Sequence, residues 1–85
     1  MVLVSGFNYE LSDRKGKKLM TVVNGKKIHF GSAGSQHFFD RTLLLDPSLN
    51  HLDDKRRQNY LKRSKGIGHI NDPTSANFHA RNILW

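Results

Sequence analysis

Apolar and polar residues alternate strictly along Phe7-Asn8-Tyr9-Glu10-Leu11-Ser12. An extended chain carries alternate side chains on opposite faces, so Phe7, Tyr9 and Leu11 share one face of a strand and Asn8, Glu10 and Ser12 the other. Asp13-Arg14-Lys15-Gly16-Lys17 combines a turn-favouring Asp, a glycine and three basic charges, which suits an exposed connection. Lys18-Leu19-Met20-Thr21-Val22-Val23 then leads into Asn24-Gly25, and Lys26-Lys27-Ile28-His29-Phe30 returns from it. Asn-Gly between two such runs favours a two-residue turn with both central residues at positive φ, and a hairpin is predicted. On its returning strand Ile28 and Phe30 face the core, whereas Lys27 and His29 face solvent.

Gly31-Ser32-Ala33-Gly34-Ser35 reads as a loop. From Gln36 to Leu45, His37-Phe38-Phe39 and Leu43-Leu44-Leu45 are apolar enough for burial but too short for periodicity to choose helix or strand, so irregular packing under the sheet is expected. Helical signals begin at Asp46-Pro47, with Asn50 followed by Asp53 as a second start. Asp53 and Asp54 sit early and Lys62, Arg63 and Lys65 late, complementing the helix dipole, and Gly66 is a candidate C-cap. Leu49, Leu52, Arg56, Tyr60 and Arg63 fall on one side of this helix and Leu61 almost opposite, a thin apolar stripe. Asp72-Pro73 repeats the capping chemistry ahead of a last helix. There Ala76, Ala80, Ile83 and Leu84 gather on one side, and Phe78 and Trp85 on the other. A helix apolar on two sides needs two packing partners. The sheet is one; the other is the preceding helix, which is preferred, or another protein chain.

The expected architecture is α+β: a three-stranded antiparallel meander over about residues 7–12, 18–23 and 26–31, followed by two α-helices over about 50–65 and 73–84 packed on the sheet, all in one domain spanning 1–85. At 85 residues the core is thin. With no cysteine, disulfides, thiolate metal sites and a Cys nucleophile are excluded. Met1-Val2-Leu3-Val4 is too short for an export signal, and no stretch approaches the roughly 20 apolar residues of a spanning helix, so a soluble chain made in a cytoplasm, with no membrane partner, is expected.

Charge sharpens the picture. Lys and Arg number 14 against 7 Asp and Glu, a formal +7, and such a field draws in polyanions. Six of the 14 lie between Lys55 and Lys65. Lys55, Arg56, Arg57, Lys62, Arg63 and Lys65 are candidate phosphate or acidic-partner contacts, with Tyr60 able to stack and Gln58 or Asn59 able to reach polar edges; a plain solvated helix face is the competing reading. Lys15, Lys17, Lys18, Lys26 and Lys27 form a second cluster at the hairpin ends, or simply guard edge strands against aggregation. Phe78, Arg81 and Trp85 on the last helix are candidate protein-interface residues.

Five histidines are scattered without a helical His-x-x-x-His pair or a carboxylate frame, so no metal and no cofactor is expected, and each is assigned a structural or solvated role. Gly68-His69-Ile70-Asn71 with Asn77 and His79 has residues of a His-Asn-His nuclease element without its preceding hairpin or spacing. No Gly-x-Ser-x-Gly, phosphate loop or dinucleotide fingerprint is present. A non-enzymatic protein without a small-molecule substrate is expected.

Three segments together, Lys27-Ile28-His29-Phe30-Gly31, the basic Asp53-to-Arg63 run with Tyr60, and Thr74-Ser75-Ala76-Asn77-Phe78-His79-Ala80-Arg81-Asn82-Ile83-Leu84-Trp85, resemble a family of small basic proteins encoded by large DNA viruses and tailed phages. Members of that family pair a Lys-Ile-His-Phe-Gly strand with a basic Arg-Lys-x-x-Tyr helix and end in a Thr-Ala-Gly-Phe-Trp-Ser-Arg-x-Leu-Leu-Trp-like segment. Here Asn77 stands where the family has Gly and His79 where it has Trp, and the stretch from Ser35 to Leu52 is longer. The resemblance implies a viral or phage protein. Joined to the basic surface and the two-sided last helix, it leads to the expectation of a minor virion component, located in the virion and in the host cytoplasm during infection. Such a component docks on other virion proteins through its last helix and turns its basic helix toward an acidic partner or the genome. The alternative is a nucleic-acid-binding protein acting in the infected cell.

Overall fold

The computed structural model describes residues 1–85. Four strands, β1 (Val2–Val4), β2 (Phe7–Leu11), β3 (Lys17–Val23) and β4 (Lys26–Ser32), form one antiparallel sheet in the order β1-β2-β3-β4. Asn24 and Gly25 both take positive φ, 52° and 78°, and pair Val23 with Lys26. That turn sets Leu19 opposite Phe30 and Thr21 opposite Ile28. The α+β class stands, with four strands in place of three. Ser5 and Gly6 (φ 51° and 87°) repeat the turn and fold Val2–Val4 back on β2, with Val4 opposite Phe7. A three-residue strand is too short for alternation to reveal it.

The core joins Tyr9, Leu19 and Phe30 of the sheet to Ala80, Ile83 and Leu84 of the last helix, with Val4, Phe7, Leu44, Leu45 and Trp85 at its margin. Helix α2 (Ala76–His79) runs directly into a π-helix, Ala80–Leu84, whose wider turn is closed by the Trp85 N–H donating to the Ala80 carbonyl at 3.1 Å. The helix begins at Ala76 and not at 73. The carboxylate of Asp72 is spent on the backbone and hydroxyl of Thr74, and Ser75 accepts from the Asn77 N–H as the cap.

Helix α1 (Asp54–Ile67) likewise begins later than the expected residue 50. Asp46 caps only a short 3₁₀ turn, Pro47–Leu49. Residues 49–52 are committed elsewhere: His37 N–H donates to Leu49, His51 N–H to His37, and Leu52 N–H to Phe38. Asp53 then caps α1 through the Lys55 and Arg56 N–H groups. Gly66 lies inside the helix, and Gly68, at φ 91°, closes it. The segment between Ser35 and Asp46 forms neither helix nor regular strand, and runs beside the last helix with Phe39 and Arg41 N–H groups donating to the Leu84 and Ile83 carbonyls. Buried Asp40 shapes its turn, accepting from Thr42 N–H and hydroxyl and from the Leu45 N–H.

Of the two helical segments only the last lies on the sheet. Helix α1 is attached to the last helix, largely through polar side chains. Arg81 donates to the Leu61 carbonyl (2.7 Å) and to the Ser64 hydroxyl, and Asn77 donates to the Ser64 and Gly68 carbonyls at 3.0 and 2.8 Å. Ser64 is the one buried residue of α1. Its apolar stripe was too thin to seat it on a sheet.

Two glycines separate turn strain from crowding. A side chain at Gly25 meets nothing within 4 Å, so Gly25→Val should cost only the positive-φ penalty, about 1–2 kcal/mol. At Gly31 (φ 78°) a Cβ would lie 2.9 Å from Leu84 Cδ1 and 3.1 Å from Lys18 Cδ, so Gly31→Ala should lose more than Gly25→Val despite its smaller side chain. Urea unfolding of the two variants checks this order, and equal losses would mean that Leu84 is not pressed against β4.

Candidate functional site

Residues four and three apart on a helix share a face, so Arg56, Tyr60 and Arg63 project together from α1. They form one wall of a groove of about 490 Å³. The opposite wall comes from the sheet and the loop after it: Lys17, Lys18, Gly31, Ser32, Ser35 and Gln36. Ala80, Leu84 and Trp85 complete the lining. A second hollow of about 270 Å³ shares Arg56, Tyr60, Arg63 and Trp85 with the first and adds Asn59. No carboxylate side chain lines either hollow.

The cations of this groove are not neutralised inside the molecule. The one ammonium–carboxylate pair is Lys27 with Asp13 at 3.8 Å, on the exposed hairpin end. Arg56 instead donates to the amide oxygen of Gln36 at 3.0 Å, across the groove. Arg63 stands with its guanidinium carbon 5.7 Å from the centre of the Tyr60 ring. Tyr60 is also stacked on Trp85, centroids 4.2 Å apart and planes within 9°.

Lys18 is buried at the back of the groove. Its ammonium donates to the Ser35 carbonyl and, at 3.0 Å, to Nδ1 of His37. Nε2 of His37 donates to Asn50 Oδ1 at 2.7 Å, and the same oxygen accepts from the Asp40 N–H. Burial, and then the neighbouring Lys18 charge, hold His37 below the ordinary imidazole range. Burial also lowers Lys18, which Asp40 partly offsets. This network fastens the Ser35–Asp40 segment to β3.

The predicted basic residues divide. Arg56, Tyr60 and Arg63 line the groove, whereas Lys55, Lys62 and Lys65 lie exposed outside it. Arg57 is used internally: its Nε donates to the Trp85 carbonyl at 2.6 Å and its guanidinium lies 5.2 Å from the centre of the Phe38 ring. The last-helix residues Phe78, Arg81 and Trp85 all have partners within the chain. Phe78 packs edge-on against Phe7 (5.8 Å), Arg81 holds the α1 backbone, and Trp85 stacks on Tyr60. Lys17 and Lys18 join Arg56 and Arg63, so part of each basic cluster read from sequence meets in one groove, whereas Lys15, Lys26 and Lys27 do not line it. The Gly31–Gln36 contribution was missed, because a Gly/Ser loop carries no charge to mark it.

The histidines are largely structural. His29, expected on an exposed face, is buried, because the Ser12–Asp13 turn folds over it and the Ser12 hydroxyl lies 2.8 Å from Nδ1. His51 Nδ1 accepts from the Asp53 N–H. His79 is fully buried, its Nδ1 accepting from the Tyr9 hydroxyl at 2.8 Å and its Nε2 donating to the Pro73 carbonyl at 2.6 Å. No group of three or more acidic, His or Cys side chains has metal-binding geometry, and no helix is long and apolar enough to cross a membrane.

Comparison with protein-family models, curated proteins and solved structures gave no match. The family resemblance thus rests on the sequence motifs alone.

Burial lowers His37 and His79 below the free value of 6.5, so the unfolded chain binds more protons than the folded one as pH falls through that value. The stability they contribute is fully present above pH 6.5 and declines toward their folded values. The lowered Asp46 and Asp72 act in a separate window below 3.8, where stability is lost as they protonate. Thermal melts should therefore drop between pH 7.5 and 5, above the window of Asp46 and Asp72. A melting temperature that is flat or rises over that interval would contradict the buried neutral imidazoles.

Proposed function

We propose that this chain is a small non-enzymatic component of the particle of a large DNA virus or tailed phage, which engages an acidic partner or the packaged genome through its basic groove. The observation that carries the binding half is the groove itself: Lys17, Lys18, Arg56 and Arg63 converge on one hollow that holds no acidic side chain. Cations brought together at such close quarters repel one another, and an incoming polyanion relieves that repulsion while releasing its own counterions. The particle half rests on the resemblance of the strand, basic-helix and last-helix motifs. The structural use made of His29, His37, His51 and His79 favours a binding role over acid–base chemistry. Docking on virion proteins would use what Phe78 and Trp85 leave half-exposed.

The second reading, a nucleic-acid-binding protein of the infected cell, uses the same groove, and the location of the protein separates the two. Mass spectrometry of purified particles should detect the chain; its absence would leave only the second reading. The genome-binding form of the first reading and the second reading both predict a salt-sensitive association with random-sequence DNA. With Lys17, Arg56 and Arg63 on phosphates, the logarithm of affinity should fall against the logarithm of salt with a slope of about −2 to −3. Replacing both Arg56 and Arg63 by Gln should reduce that slope by roughly 1 to 2. A flat response in the unmodified protein would reject the groove as a polyanion site.

A further inference from the structure

The groove offers more than charge. Beside its four cations it presents the half-buried rings of Tyr60 and Trp85, with Ala80 and Leu84 almost wholly buried behind them, and flat rings match unpaired bases better than the side chains of an acidic peptide. A double helix fits no better, since it is met by an element that projects into its grooves, whereas these cations line a hollow. A single strand has both parts needed: phosphates for the cations and unpaired bases with apolar faces for the lining.

The aromatic stack gives the bases a place to continue. Trp85 and Tyr60 lie nearly parallel at 4.2 Å, and the Arg63 guanidinium carbon stands 5.7 Å from the centre of the Tyr60 ring. Arg63 adjoins this ladder of rings as an exposed residue, and a guanidinium plane is itself a stacking surface for a base. The two hollows share Arg56, Tyr60, Arg63 and Trp85, so a strand crossing the ladder passes from one to the other and meets Asn59, whose amide can reach a base edge.

We propose that the groove is a site for single-stranded nucleic acid, with Lys17 and Arg56 on the phosphates, Arg63 as the stacking platform and the Tyr60–Trp85 pair as its support. The assignment rests on the polyanion reading and narrows it. The contacts assigned are to phosphates and bases and not to the sugar, so DNA and RNA strands are both ligands.

Trp85 is the sole tryptophan, and its fluorescence reports on the groove directly. Oligothymidylate and oligouridylate of about 12 nucleotides, a duplex of equal length and polyglutamate are titrated at one salt concentration, with anisotropy as the second readout. Both single strands should quench Trp85 and bind roughly tenfold tighter than the duplex, in line with the stacking contribution of a base. Arg63→Lys keeps the charge and removes the plane; it should weaken single-strand binding about fivefold or more and leave polyglutamate unaffected. Circular dichroism melting of that variant verifies that it remains folded. If the duplex or polyglutamate binds as tightly as the strands, or Arg63→Lys changes nothing, the single-strand assignment falls while the polyanion reading survives. Binding of only one of the two single strands would overturn the sugar-independent site. If none of the four ligands binds, both readings fall.

Discussion

The imidazole of His79 couples the two layers of this fold, and most of what surrounds it depends on that ring staying neutral and in place. Its two nitrogens are satisfied from opposite directions, by the Tyr9 hydroxyl of the sheet and by the Pro73 carbonyl ahead of the helix. The rings of Phe7, Tyr9, Phe30 and Phe78 surround it at 4.9 to 5.7 Å between centroids. Such an arrangement sets both the position and the rotation of the last helix on the sheet, because an unpaired nitrogen there would cost about 1–3 kcal/mol. The same burial pushes the Tyr9 hydroxyl up to about 12, so the donor of the pair stays protonated at any physiological pH.

With that helix fixed, the rest of the chain hangs from it. The backbone carbonyls of Ile83 and Leu84 accept from the irregular segment, and Arg81 and Asn77 hold the α1 backbone from below. The π-helical turn over Ala80–Leu84 places Ile83 and Leu84 both in the core, while Trp85 emerges beside Tyr60. Because α1 is attached to the last helix and not laid on the sheet, a space remains between it and the β3–β4 strands. The groove is that space, and its cations face one another across it.

How much of this was legible in the sequence follows from which residues carry local information. Asn24-Gly25 announces a turn at positive φ through its own chemistry, so β3 and β4 were readable with their register. Ser5-Gly6 makes the same turn with a weaker signal and only three residues on one side, so β1 was not. Helix starts were misplaced where a capping residue had a nearer use: Asp72 for Thr74, and the 49–52 backbone for the backbone of residues 37 and 38. The basic face of α1 was readable by spacing, but its partition was not. Arg57 and Arg63 look alike in the sequence, and only the Trp85 carbonyl beside one and the Tyr60 ring beside the other assign them different work. His29 and His79 illustrate the same limit, since a hydroxyl from another segment makes a buried imidazole acceptable, and no window of sequence contains that hydroxyl.

The way α1 is held bears on what the groove can do. A helix carrying Lys55, Arg56, Arg57, Lys62, Arg63 and Lys65 cannot be seated by burying a broad apolar face without also desolvating charge. The fold avoids that cost by gripping the helix through backbone carbonyls and one buried serine, with Arg81 and Asn77 as donors. Donors on the last helix meeting carbonyls on α1 leave its basic side chains without a carboxylate partner, Arg57 alone being turned onto the Trp85 carbonyl. The +7 charge of the chain is then expressed at the surface, and where the two basic clusters meet it is focused by the low-dielectric walls of a concave site. Attachment through polar groups and concentration of unpaired charge are thus two consequences of one choice in the sequence, the near absence of an apolar face on its longest helix.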